Sequence, residues 1–166
     1  MKEESKVKGK FTYELFSKSG ELKDKGEFSN AAVEVGRNYL LNAGFHGSSP
    51  VTTWYIGLID NGSFSALADG DTMASHSGWI EDEDYSETTR GTWTEGAASA
   101  SVITNGTSVD FTIDTDGSLQ GAFVTSDNTK GGTSGTLWAT GLFTGAPISV
   151  TNGDVLKITY TITLYT

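Results

Sequence analysis

The last twelve residues, Val155-Leu-Lys-Ile-Thr-Tyr-Thr-Ile-Thr-Leu-Tyr-Thr166, alternate almost without interruption. Leu156, Ile158, Tyr160, Ile162 and Leu164 fall on one side, and Lys157, Thr159, Thr161 and Thr163 on the other. A period of two in β-branched and aromatic residues predicts a long strand buried on one face, paired with strands made earlier in the chain. Residues 10–16 and 22–28 flank a turn containing Ser19-Gly20 and predict an opening hairpin. The stretch 51–59 is nearly all apolar and reads as a central strand, ended by Asp60-Asn61-Gly62. Further strands are expected over 92–95, 98–104, 107–113, 119–125, 136–143 and 148–150. Asn105-Gly106 is the strongest short-range hairpin signal in the chain and is expected to join 98–104 to 107–113.

The period changes once. Ala32, Val35, Tyr39, Leu40 and Ala43 share one helical face, which predicts a helix over 31–43 capped by Asn30 and stopped by Gly44. Between 60 and 90 neither period holds. A short helical turn is expected in 67–75, and 78–90 is acidic and aromatic; a loop of this length inside a domain needs a function or its own packing. The expectation is a mainly β chain, an antiparallel β-sandwich or jelly roll with one amphipathic helix. Residues 1–28 form an N-terminal arm and β-hairpin, and 29–166 a single β-sandwich domain carrying the helix and the long loop 60–90.

Composition narrows the function. The chain has 166 residues, no Cys, 21 Gly and 2 Pro, which suits one disulfide-free domain of short strands and tight turns. No apolar run approaches the roughly 20 residues of a membrane span, and the charged start leads into no signal-like apolar segment. The net charge of −10 is unevenly placed. Residues 1–25 hold seven lysines against five acids, whereas 26–166 hold four basic residues against sixteen acids. Such a body repels phosphate, so neither nucleic acid nor an anionic membrane is an expected partner. The lysine-rich start, with Lys2, Lys6, Lys8 and Lys10, reads as a solvated terminus or as an arm that docks on an acidic neighbour, including another copy of this chain.

Candidate chemistry is thin, and no catalytic residue, cofactor or metal is assigned. His46 and His76 stand alone, without the spacing that places two ligands or a base and its partner on one element. Gly132-Thr-Ser-Gly-Thr136 lacks the spacing of a nucleophile elbow and reads as a turn. The acidic groups Asp69/Asp71, Glu81-Asp-Glu-Asp84 and Asp114/Asp116 complete no recognised Ca²⁺ loop. Trp54 and Trp138 lie in strands and read as core. Trp79, Tyr85 and Trp93 lie in or beside the long excursion and are the expected anchors of an interface.

Three segments, Trp54-Tyr-Ile-Gly-Leu-Ile-Asp60, Ala68-Asp-Gly-Asp-Thr-Met-Ala-Ser-His-Ser-Gly-Trp79 and Asp84-Tyr-Ser-Glu-Thr-Thr-Arg90, resemble a family of small proteins encoded by tailed bacteriophages and prophages. Gly121-Ala-Phe123, the stretch 129–137 and the closing Gly153-Asp-Val-Leu-Lys-Ile-Thr-Tyr160 extend the similarity over residues 30–165. The resemblance implies a virion structural protein from the head or tail module, made in the host cytoplasm, and transfers no catalytic residue. Within a virion the expected role is a capsid decoration or cement protein, a homo-oligomer bound to the major capsid protein or other virion proteins. The alternatives are a tail or tail-fibre component and a carbohydrate-binding module for host glycans, with a lytic enzyme behind them.

Overall fold

A computed structural model describes residues 6–165. Its elements run β1 (Lys6–Phe16), β2 (Leu22–Ala32), α1 (Glu34–Phe45), β3 (Trp54–Asp60), β4 (Glu81–Asp82), β5 (Gly91–Trp93), β6 (Val102–Thr104), β7 (Val109–Thr112), β8 (Gly117–Thr125), β9 (Leu137–Leu142), β10 (Ile148–Val150) and β11 (Val155–Tyr165). The described residues are mainly β, with one helix among them, and every ladder between these strands is antiparallel.

The terminal strand finds its partner at the other end of the sequence. β11 pairs with β1 over its full length, from Lys6 opposite Tyr165 to Phe16 opposite Val155. The expected arm is therefore strand from Lys6 onward. Its alternation was already written: Val7, Gly9, Phe11, Tyr13 and Leu15 occupy one side, and Lys6, Lys8, Lys10, Thr12 and Glu14 the other. β2 completes the hairpin, and β6 and β7 line the far edge of β11. The second layer holds β3, β4, β5, β8, β9 and β10. β2 joins the two: residues up to Asn30 pair with β1, and Ala31 and Ala32 pair with Thr140 and Ala139 of β9. One eleven-stranded sheet thus folds over into a sandwich.

Between the layers Phe11, Leu15, Leu156, Ile158 and Tyr160 meet Ile56, Leu58, Ala122, Val124 and Trp138 in one core. Phe11 and Phe28 belong to it, so the opening hairpin is part of the domain's own core. The second layer is buried on both faces. Ile59, Phe123 and Leu137 point away from the sandwich and form a second core with Val33, Met73 and Trp79. Gly57 is required here, because a Cβ at that position would lie 2.3 Å from the Phe123 ring.

The helix is displaced from its expected position. It spans Glu34–Phe45 with Val33 at the cap and no side-chain cap hydrogen bond. Asn30, the expected cap, lies in β2, because the next two residues complete a ladder with β9 that a helical start would forfeit. At the other end Gly44 stays helical, and the left-handed residue is Gly47 at φ +72°. Gly36 permits close seating: a Cβ there would lie 2.4 Å from the carbonyl oxygen of Trp138.

Asn105-Gly106 does not form a hairpin. β6 and β7 lie end to end along β11, with Thr104 opposite Thr161 and Val109 opposite Ile158, and residues 105–108 bulge between them. The buried Asn105 side chain fills the gap: its Oδ1 accepts from Tyr160 N at 2.8 Å, and its Nδ2 donates to Ile158 O at 3.3 Å. The tight hairpin sits instead at Ala100-Ser101, both left-handed at φ 50° and 63°, with Ser99 and Val102 exchanging backbone hydrogen bonds of 2.9 and 3.0 Å. The expected strand 98–104 is this turn and its short return arm.

Candidate functional site

Trp79, Tyr85 and Trp93, the expected interface anchors, are 1%, 1% and 3% exposed, so none of them projects from the surface as an anchor. This is a correction with a packing cause: Trp79 covers the outer apolar face of the second layer, and Tyr85 and Trp93 belong to the core between the layers. Trp79 lies against Phe123 with ring centroids 5.1 Å apart, stacks on His76 at 3.9 Å, and donates from Nε1 to Asp71 Oδ2 at 2.9 Å. Tyr85 packs edge-on to Phe111 at 5.0 Å, and Trp93 donates from Nε1 to Asn105 Oδ1 and Tyr160 O. No helical turn forms in 67–75, where Thr72 and Ser75 make a bridged turn. Trp138 is buried as expected and Trp54 half-buried.

The acidic groups have structural occupations. Asp69 pairs with Arg37 on the surface, and Asp116 accepts from Asn152 N at 2.8 Å. Among the described residues no three His, Asp or Glu side chains gather as a metal site. Glu81 takes the guanidinium of the fully buried Arg90 at 2.8 and 2.7 Å. Arg90 also donates to Asp127 O at 2.8 Å and Gly132 O at 2.7 Å, and so ties the end of the excursion to the loop after β8. Asp82, next to Glu81, has a buried Oδ2 without a hydrogen-bond partner. Burial, and then the charges of Asp84 and Asp60, push its carboxyl up to about 7.

Two surfaces stand out among the described residues. The first is the outer face of β2, β1 and β11. Lys2 lies outside the described residues. Lys6, Lys8 and Lys10 project from β1 as a column spaced about 7 Å apart, flanked on β11 by Tyr165, Thr163 and Thr161. Lys10 pairs with Glu27 at 3.0 Å, and Lys8 sits 4.9 Å from the centre of the Tyr165 ring. Further along, Asp110, Lys157, Glu14 and Lys25 stand in one row across four strands, so their charges alternate and cancel. Two open depressions of about 260 and 430 Å³ lie over these two regions. The basic character is therefore concentrated in the β1 column. Tyr13, which borders the larger depression, is pushed up to about 12 by burial and by its hydrogen bond to Asp24.

The second surface is the end of the sandwich beside α1. A groove of about 220 Å³ runs between Leu40 of the helix and Val7, Val102, Ile162 and Leu164 of the strand ends, with Trp138 at its floor. A narrower hollow of about 110 Å³, lined by Tyr39, Trp54 and Trp93, shares Leu40, Trp138 and Ile162 with it. The polar tips around it are engaged elsewhere. Trp138 Nε1 donates to Tyr160 Oη at 2.8 Å, and Tyr39 Oη accepts from Val51 N at 2.7 Å. Periodicity alone did not identify this region, because its residues come from α1, β1, β6 and β11. The available signal was the absence of charge: 38–59, 96–109 and 158–165 contain no Asp, Glu, Lys or Arg in a chain that is 19% charged.

These features define an antiparallel β-sandwich with a satellite core, a lysine column on one sheet face and a charge-free apolar end. No family model, curated protein or solved structure matches the chain. No helix among the described residues is long and apolar enough to cross a membrane.

Proposed function

We propose that this chain is a structural subunit of a tailed-bacteriophage virion, a decoration protein that adds to the assembled head and stabilises it. The observation that carries the reading is the separation of charge. Lys6, Lys8 and Lys10 form one basic column on one sheet face, whereas the chain as a whole carries −10. A protein so polarised is oriented as it approaches an acidic surface, and the Thr-rich β11 beside the column supplies hydroxyls for a polar contact. Binding the assembled shell better than free capsid subunits shifts the equilibrium towards the shell.

The test is occupancy of purified particles. Copies comparable in number with the major capsid protein support decoration; a handful places the chain in the tail, and none refutes the reading. Lys8→Glu with Lys10→Glu should leave the fold intact, since both side chains are exposed. It should lower particle occupancy, and washing at a few tenths molar salt should release the wild type progressively. Unchanged occupancy of the double variant would remove the lysine column from the contact.

A further inference from the structure

We propose that the charge-free end is a self-association surface, on which Phe45 of one copy seats in the groove between α1 and the strand ends of a second copy, and reciprocally, giving a two-fold dimer. The inference goes beyond the virion reading and does not depend on it.

The helix supplies the first argument. Its inner side is covered by β9 at Gly36, yet its outer side is also apolar. Leu41 and Phe45, one turn apart, are 57% and 88% exposed, and Leu40 between the two sides is 41% exposed. Leu41 and Phe45 thus leave α1 an exposed apolar pair on the side away from β9. Val7 and Leu164, cross-strand partners on the groove wall, add 36% and 55% exposure. Among the described residues, five of the eight large exposed hydrophobics therefore lie on α1 or on the strand ends that line the groove beside it.

Size supplies the second. Those five side chains expose on the order of 500 Å² of apolar surface, against roughly 800 Å² per partner in a standard interface. The uncharged, exposed Ala98 and Ser101 line the same groove, and 48–50, also uncharged and exposed, follow Phe45 closely in sequence. The groove of about 220 Å³ also suits the knob. An apolar cavity of about 150 Å³ accommodates a benzene ring, which is the end of a phenylalanine side chain.

Charge selects the occupant. Two copies at −10 each repel through most of their surface, and the face they can bring together without juxtaposing like charges is the one that lacks charge. Knob and groove share α1, with Leu40 lining the groove and Phe45 five residues further along the helix, so one two-fold axis can satisfy both contacts and close the assembly at two copies rather than propagate it.

Sedimentation velocity on the purified chain decides the matter without virions, so its outcome is separable from that of particle occupancy. The wild type should show a monomer–dimer equilibrium below about 0.2 mM. Raising salt from about 0.1 to 0.5 M should leave it unchanged or tighten it, because no ion pair is involved. Phe45→Asp should weaken dimerisation at least about 100-fold, since each dimer contains two knobs near the centre of the contact. Its melting temperature should match that of the monomer, because the side chain is almost fully exposed. Leu164→Asp tests the groove wall and should weaken dimerisation similarly. A chain that stays monomeric at 0.2 mM, a dimer indifferent to Phe45→Asp, or a dimer dissolved by salt would each overturn the proposal.

Discussion

Arg90 is the side chain whose removal should do most damage for its size. It is fully buried, and it makes four hydrogen bonds, two to the Glu81 carboxylate and one each to the carbonyl oxygens of Asp127 and Gly132. Arg90→Met keeps much of the volume and removes all of these bonds. Glu81, 6% exposed at its side chain, would retain only the Gly131 N–H at 2.9 Å. Breaking a buried pair from one side costs about 3–5 kcal/mol, mostly through the charge left behind. For a domain of this length that is a fall in Tm of roughly 8–16 °C. Urea titration and thermal melting read the total. Hydrogen exchange should show the amides of 78–90 and 126–132 losing protection before those of β1 and β11, because Arg90 pins the excursion and not the sandwich.

The same reasoning fixes the double variant. If the stranded carboxylate is the main cost, Arg90→Met with Glu81→Leu should be more stable than Arg90→Met alone and recover about half of the loss. The remainder stays because two carbonyls and the Gly131 N–H keep no partner. A single variant that loses less than about 1 kcal/mol, or a double variant less stable than the single, would refute the assignment of Arg90 as the pin.

Trp79→Ala should cost about 3–5 kcal/mol in urea unfolding, as loss of a core side chain, and not act as a surface contact; a change under about 1 kcal/mol would contradict its burial. Ala100→Asn with Ser101→Gly should raise stability by about 1–2 kcal/mol, because both positions hold left-handed backbone that Asn and Gly adopt more readily; no gain would mean the turn carries no strain. Asp82 sets a pH dependence. Its carboxyl is raised to about 7 in the folded state, so the protonated form is favoured there and stability is lost as pH rises through 7. Between pH 5 and 8 the loss from this group is about 3 kcal/mol. Asp82→Asn should flatten that slope, and an unaltered slope would place its origin elsewhere.

The long strands were legible because one rule governs them. β11 and the buried side of β1 alternate, and alternation survives any partner. The start of β1 was legible in the same way but was obscured by its lysines: Lys6, Lys8 and Lys10 fall on the same parity, with Val7 and Gly9 between them. The errors came where two local rules competed with tertiary pairing. Asn30 is a good helix cap and Asn105-Gly106 a good hairpin turn, yet both positions serve β-pairing. Asn30 lies in a strand that continues to Ala32, and Asn105 replaces a missing stretch of ladder beside β11. The preferences of a few tenths to about 1 kcal/mol expressed by turn and cap residues yield to several ladder hydrogen bonds and a buried side chain.

The candidate surfaces were harder to read, and for a different reason. Aromatic residues in a long loop suggest an interface only if the sheet beneath is already covered, and the sequence of the loop does not say whether it is. β8 carries buried residues on both faces, from Leu119 through Thr125. A strand buried on both faces inside an antiparallel sandwich demands a third layer, and residues 60–90 are the long segment free to make it. Trp79 was thus committed to that third layer, and Tyr85 and Trp93 to the core between the sheets, before any partner could use them. What remains for partners is what the two cores leave over: lysines placed outward by the parity of β1, and apolar side chains on the side of α1 that no strand reaches. Both surfaces are defined by orientation relative to the sandwich, which is why neither residue type nor local sequence was sufficient to find them.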